Sequence, residues 1–210
     1  MLKIYGLHTP MFLKVLWAAE ELGVNYQHIP VDLIKGETRT PEHLIRHPFG
    51  KVPAIEHEGK FLFESNAILR YMANMSKGKL YPNEVYEKAL VDQWMDYFSL
   101  QAGRWTTMCW FQTVIAPKYF NEQPDHKLLA EVQTWLDEQM PIVDKLLGTK
   151  KYICGNDFSI ADINAFCLMA GWKDAGLNFA QYTNFTRWMD EVKSRPNLQK
   201  LKQHWPSENI

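Results

Sequence analysis

Four short stretches in the first third of the chain combine residue types able to hold a polar ligand: Thr9-Pro10, Thr38-Arg39, Lys51-Val52-Pro53 and Glu64-Ser65. Glu64-Ser65 opens a helical pattern, and a helix start offers free N–H groups and the positive end of the dipole to a carboxylate. Ser65 serves equally as a plain N-cap, a role worth about 1 kcal/mol. Thr9 followed by Pro10 has the same dual reading, since any helix start favours a hydroxyl residue followed by proline. A residue before proline is held extended, so Val52 reads as the entry to an edge strand. Arg39 and Lys51 offer cations for an acidic ligand group, and taken alone each is a solvated surface charge.

Other chemistries lack their residues. Cys109, Cys154 and Cys167 are three in number, far apart and without a CxxC pair, which implies neither a disulfide framework nor a zinc site. His8, His28, His43, His47, His57, His126 and His204 are scattered without metal-ligand spacing, so no metal is expected. A thioredoxin-like redox reaction needs a nucleophilic cysteine at the start of the first helix, and the chain has none before residue 109.

The elements that must position these residues alternate at first and then become helical throughout. Leu2-Lys3-Ile4-Tyr5 reads as a strand ended by Gly6; Phe12, Val15, Leu16, Ala19 and Leu22 then recur at helical spacing up to Gly23. Tyr26 to Val31 forms a second strand, parallel to the first across the helix, and Pro41 to Arg46 a short helix. Val52–Glu56 and Lys60–Phe63 flank the turn His57-Glu58-Gly59 as a hairpin, and Ser65 to Met75 closes the unit with a helix. This βαβ–ββα order is a thioredoxin-like layout. Residues 1–76 are expected to form it, 77–84 a linker, and 85–210 an all-helical bundle with helices over Val85–Ala116, Lys127–Leu147, Ser159–Trp172 and Phe185–Ser194. Ser159-Ile160-Ala161-Asp162 is a capping pattern with a purely structural reading.

Of 210 residues 46% are hydrophobic and 22% charged, enough for one large or two small cores, and the net charge of −1 gives no basic face for nucleic acid. No window reaches the apolar length of a membrane span, and Pro10 interrupts the amino terminus before any signal-like run. A cytoplasmic location is expected.

His47-Pro48-Phe49-Gly50-Lys51-Val52-Pro53-Ala54-Ile55, followed by Phe63-Glu64-Ser65-Asn66-Ala67-Ile68, resembles the glutathione transferase family. Gly36-Glu37-Thr38-Arg39-Thr40-Pro41-Glu42 and Phe158-Ser159-Ile160-Ala161-Asp162-Ile163 extend the resemblance over nearly the whole chain, closest to the phi and theta-like classes.

The resemblance implies glutathione as co-substrate, conjugated to a small apolar electrophile in a detoxifying reaction. It implies that Val52, through a cis bond to Pro53, presents its main chain to the cysteinyl unit. Glu64 and Ser65 would then receive the γ-glutamyl end, and Arg39 and Lys51 the glycyl carboxylate. Thr38 replaces a histidine of phi-like relatives. Thr9 stands where serine-type members carry their catalytic hydroxyl, and Leu13 where an arginine often supports it; Tyr5 is the alternative hydroxyl. Trp94, Tyr97, Phe98, Trp105, Met108, Trp110 and Phe111 are mostly expected in the core, with Trp105, Met108 and Phe12 as candidates for the electrophile pocket. A homodimer follows from the resemblance, with Phe49 and Met72 contributing to its interface. A noncatalytic glutathione-binding module, peroxide reduction, dehalogenation and isomerisation remain the alternative functions.

Overall fold

A computed structural model describes residues 1–7 and 9–204. His8 and residues 205–210 lie outside the described residues. Strand β1 (Leu2–Tyr5), helix α1 (Pro10–Leu22) and strand β2 (Tyr26–Ile29) form the first arm. Nearly every position of α1 from Phe12 onward is buried, and most of these positions are apolar. Gly23, at φ 70°, ends it with an N–H that reaches the Ala19 and Glu20 carbonyls. Helix α2 (Pro41–Arg46) precedes the hairpin of β3 (Ala54–His57) and β4 (Lys60–Phe63), and helix α3 (Ser65–Met75) follows.

The sheet order is β2-β1-β3-β4, with β1 parallel to β2 and the other pairs antiparallel. Two strands are shorter than the apolar pattern predicts. β3 begins at Ala54 rather than Val52, because Pro53 has no N–H to give to a ladder. β2 ends at Ile29, where its partner β1 also runs out at Tyr5.

The chain divides into two compact units, Met1–Lys88 with the described residues from Pro196 onward, and Ala89–Arg195. Helix α4 (Val85–Leu100) therefore straddles the division. The second unit contains α5 (Ala102–Trp110), a π-helical run over Phe111–Phe120, α6 (His126–Leu147), α7 (Ile160–Met169) and α8 (Thr183–Lys193). The short α9 (Pro196–Lys200) groups with the first unit and packs on α1, whereas the sequence placed it with the helical bundle.

The single helix expected over Val85–Ala116 is broken at Gln101, whose φ of −121° and ψ of −117° are not helical. Beyond the break α5 meets α7 so closely that a Cβ on Gly103 would stand 2.7 Å from that of Leu168. α7 is buried along its whole length and is opened by a capping box between Ser159 and Asp162. Asp162 also accepts from Ile153 N and Trp188 Nε1, both at 2.9 Å, so one carboxylate ties three segments together. Burial pushes its pKa up, and these donors offset only part of the rise. Among the described residues no helix is long and apolar enough to cross a membrane.

Candidate active site

One rung of the sheet determines where the candidate residues meet. Tyr5 pairs with Ala54, and Ala54 pairs with Phe63. The chain leaves β1 after Tyr5, enters β3 at Ala54 and leaves β4 after Phe63. The turn to Thr9, the Val52-Pro53 bond and Glu64-Ser65 therefore emerge at the same end of the sheet.

Two helices start there together. Ser65 Oγ lies 3.8 Å from Met11 Sδ, and Lys14 Nζ donates to Asn66 Oδ1 at 2.7 Å, so the first turns of α1 and α3 are side by side. Two positive dipole ends converge on one small region, an arrangement suited to anions. Lys14, only 1% exposed, adds a buried ammonium between them. Sequence reasoning passed over Lys14 and Asn66; a lysine set within the apolar run from Phe12 to Ala19 was the available signal.

Thr9 is the N-cap of α1, extended at φ −124° and ψ 151°, with Oγ1 accepting from Phe12 N at 3.1 Å. That bond uses an oxygen lone pair and not the hydroxyl proton, so capping and donation to a ligand are compatible. Tyr5 differs. It is 2% exposed, and its hydroxyl donates to Glu56 Oε2 at 2.7 Å while the Arg46 guanidinium lies over its ring. Burial, reinforced by Glu56, pushes the Tyr5 hydroxyl up to about 12. Its proton is already engaged on the sheet.

The Val52-Pro53 bond is cis, as the resemblance implied. Val52 is half-buried against Tyr5, Val31 and Ala54, and among the described residues no backbone group pairs with its main chain. The preceding turn is held tight by Gly50, at φ 59°, where a Cβ would lie 2.8 Å from the Thr38 carbonyl. Arg39 donates to the Phe49 carbonyl at 3.3 Å and is exposed, as is Lys51. Thr38 is buried, 4% exposed.

Glu64 has φ 69°, an uncommon conformation for a residue with a Cβ, costing about 1–3 kcal/mol. Its side chain makes no capping bond and is exposed, while Ser65 beside it is buried. Backbone strain of this kind persists where surrounding structure imposes it, commonly at binding sites.

The remaining expected residues differ in exposure. Phe12 is 0% exposed, with its ring 4.8 Å from that of His28, so it presents no surface to a ligand. Leu13 is likewise core. Trp105 and Met108 are half-buried on α5, with Trp105 edge-on to Trp135 at 5.8 Å. Met72, expected at a subunit interface, is instead 0% exposed within its own unit, because α3 turns that position inward. Phe49 is 62% exposed.

Comparison with known proteins agrees with the geometry. Residues 1–74 match the family model of the glutathione S-transferase N-terminal domain, and residues 106–196 that of the C-terminal domain. The chain is 33% identical over 206 residues to a probable glutathione S-transferase of Oryza sativa subsp. japonica, covering 95% of each sequence. Its fold superimposes with a TM-score of 0.87 on glutathione transferase F7 from Populus trichocarpa, at 27% identity over 97% of this chain and 99% of that one. A theta-class glutathione S-transferase from Xanthomonas axonopodis pv. citri, solved with glutathione bound, gives a TM-score of 0.86 at 28% identity, covering 98% and 99%. The thioredoxin-like unit with its paired helix starts and the helical unit that follows it are those of one family: this chain belongs to the glutathione S-transferases.

Proposed function

We propose that the protein is a glutathione transferase whose N-terminal unit binds and ionises glutathione, with Thr9 as the hydroxyl that stabilises the thiolate. The observation carrying this reading is the convergence of Thr9, Val52 and Ser65 at one end of the sheet, beside two adjacent helix N-termini. Ser65 and the first turn of α3 receive the γ-glutamyl carboxylate, and exposed Glu64 faces the ligand's ammonium. The cysteinyl main chain lies along Val52, before Pro53. Arg39 and Lys51 attract the glycyl carboxylate.

The thiol loses its proton to solvent, and the thiolate accepts a hydrogen bond from Thr9. Its sulfur lone pair then forms a C–S bond to an apolar electrophile, which releases its leaving group or takes up a proton. Trp105 and Met108 are the residues of the helical unit assigned to the electrophile. Phe12 supports the Thr9 turn from the core, and Tyr5 has a structural role. Phe49, an exposed aromatic on the turn before Lys51, is assigned to a two-fold dimer contact.

Retention on immobilised glutathione, followed by assay with a panel of electrophiles and hydroperoxides, tests the reading. Retention with turnover of at least one electrophile is expected. Retention without turnover selects the noncatalytic binding module, and no retention removes the site.

A further inference from the structure

The imidazole of His43 occupies a position that the chemistry above does not use. His43 lies on α2, 1% exposed, and its Nε2 is 2.8 Å from the Lys51 carbonyl oxygen. Its own N–H is held by the Thr40 hydroxyl at 3.3 Å, and its carbonyl receives the His47 N–H at 2.9 Å, so the residue is anchored at both ends. Its ring stacks on that of His47 at 6.5 Å. Nδ1 is buried and has no hydrogen-bond partner among the described residues.

These contacts define the state of the ring. A carbonyl oxygen only accepts, so Nε2 carries the proton. His43 is thus the donor to the Lys51 carbonyl, through Nε2–H.

The Lys51 carbonyl and the Val52 N–H belong to one planar peptide unit, and in a trans unit they point in opposite directions. Fixing the oxygen toward α2 aims the N–H away from α2. We propose that His43 is a positioning residue for glutathione: by holding the Lys51–Val52 peptide plane it orients the Val52 main chain that pairs with the cysteinyl unit. This inference rests on the glutathione-binding reading above. His43 does not touch the ligand; it removes the rotational freedom of the peptide that does.

Calorimetric titration with glutathione at pH 7 tests this on the full chain as wild type, His43→Leu and His43→Gln. Leu keeps an apolar side chain without the donor, whereas Gln offers an N–H at comparable reach. The Kd for glutathione is expected to rise roughly fivefold to twentyfold in His43→Leu and to stay within about twofold of wild type in His43→Gln. kcat at saturating glutathione and the pKa of the bound thiol are expected to be unmoved in both, a split that a loss of general packing would not give.

Wild type that fails to bind glutathione overturns the parent reading and this one together. Wild type that binds, with His43→Leu binding equally well, overturns this inference alone, as does equal weakening in both variants. Should the Leu variant not fold, nitrogen-15 spectroscopy of the wild-type imidazoles decides. A protonated, slowly exchanging Nε2 at His43 supports the proposal, and an Nδ1–H tautomer with a bare Nε2 overturns it.

Discussion

Thr9→Val keeps the shape and β-branch of the residue and deletes its hydroxyl. A free thiol has a pKa of about 8.5, so about 3% of it is thiolate at pH 7. Thr9 Oγ1 already accepts from Phe12 N at 3.1 Å, which orients the oxygen and leaves its proton for a ligand. A hydrogen bond from a neutral hydroxyl to a thiolate is worth about 1.5–3 kcal/mol, or one to two pKa units, and brings the bound thiol to about 6.5–7.5. About a quarter to three-quarters of it is then ionised at pH 7, and the thiolate population lost in Thr9→Val is about 8- to 25-fold by the same arithmetic. The assay is kcat/KM for the electrophile at saturating glutathione from pH 5.5 to 9.5, with thermal melts of each variant. The rising limb should shift up by one to two units, as estimated above, and the deficit should close at the alkaline end. Thr9→Ser should follow wild type. Both roles of the hydroxyl are visible at once, because losing the cap also costs about 1 kcal/mol of stability. A Thr9→Val profile that stays in place while the melting temperature falls would refute the reasoning and leave Thr9 a cap.

Other consequences are accessible to similar measurements. Ser65→Ala should weaken glutathione binding roughly tenfold to 150-fold by calorimetry, for loss of a hydroxyl facing a charged carboxylate. Glu64→Gly should raise the melting temperature by relieving the backbone at φ 69° while weakening glutathione binding; a parallel loss of both would show that the conformation is not strained. His47 is 3% exposed, and burial pulls its pKa down, with Glu64 opposing. The folded ring therefore resists a proton that the unfolded chain accepts below its ordinary value of about 6.5. Stability should fall as pH drops from there toward the folded pKa, and His47→Asn should flatten that slope in melts between pH 5 and 7.5. Asp162→Ala strands the donors of Ser159, Ile153 and Trp188 and should cost about 3–5 kcal/mol in urea unfolding. Sedimentation should give twice the chain mass, with Phe49→Ser shifting the equilibrium toward monomer.

Local signals were the legible ones. Gly6, Gly23 and the Thr9-Pro10 pair delimit β1 and α1 without reference to the rest of the molecule, and Ser65–Met75 is helical over the range its spacing predicts. The capping box at Ser159 was readable for the same reason. Features decided by distant contacts were not. The break at Gln101 answers to α7, which is some 60 residues away in the chain, as the approach of Gly103 to Leu168 makes plain. Phe12 and Met72 looked available because periodicity places residues on a face without saying what that face meets. The bond that engages the Tyr5 hydroxyl was equally illegible, because two helices and a strand separate Tyr5 from Glu56 in the sequence.

That Tyr5, Ala54 and Phe63 share one rung gives the site an unusual relation to folding errors. Successive strand residues face opposite sides, so a slip of β3 or β4 by a single position would turn its side chains over. The same slip would move Val52 or Ser65 along the sheet by about 3.3 Å, beyond the tolerance of a hydrogen-bonded ligand. On the proposed site, a misregistered molecule would thus be ligand-incompetent as well. Immobilised glutathione would act as a proofreader as well as a purification step, retaining only chains whose hairpin has closed in register.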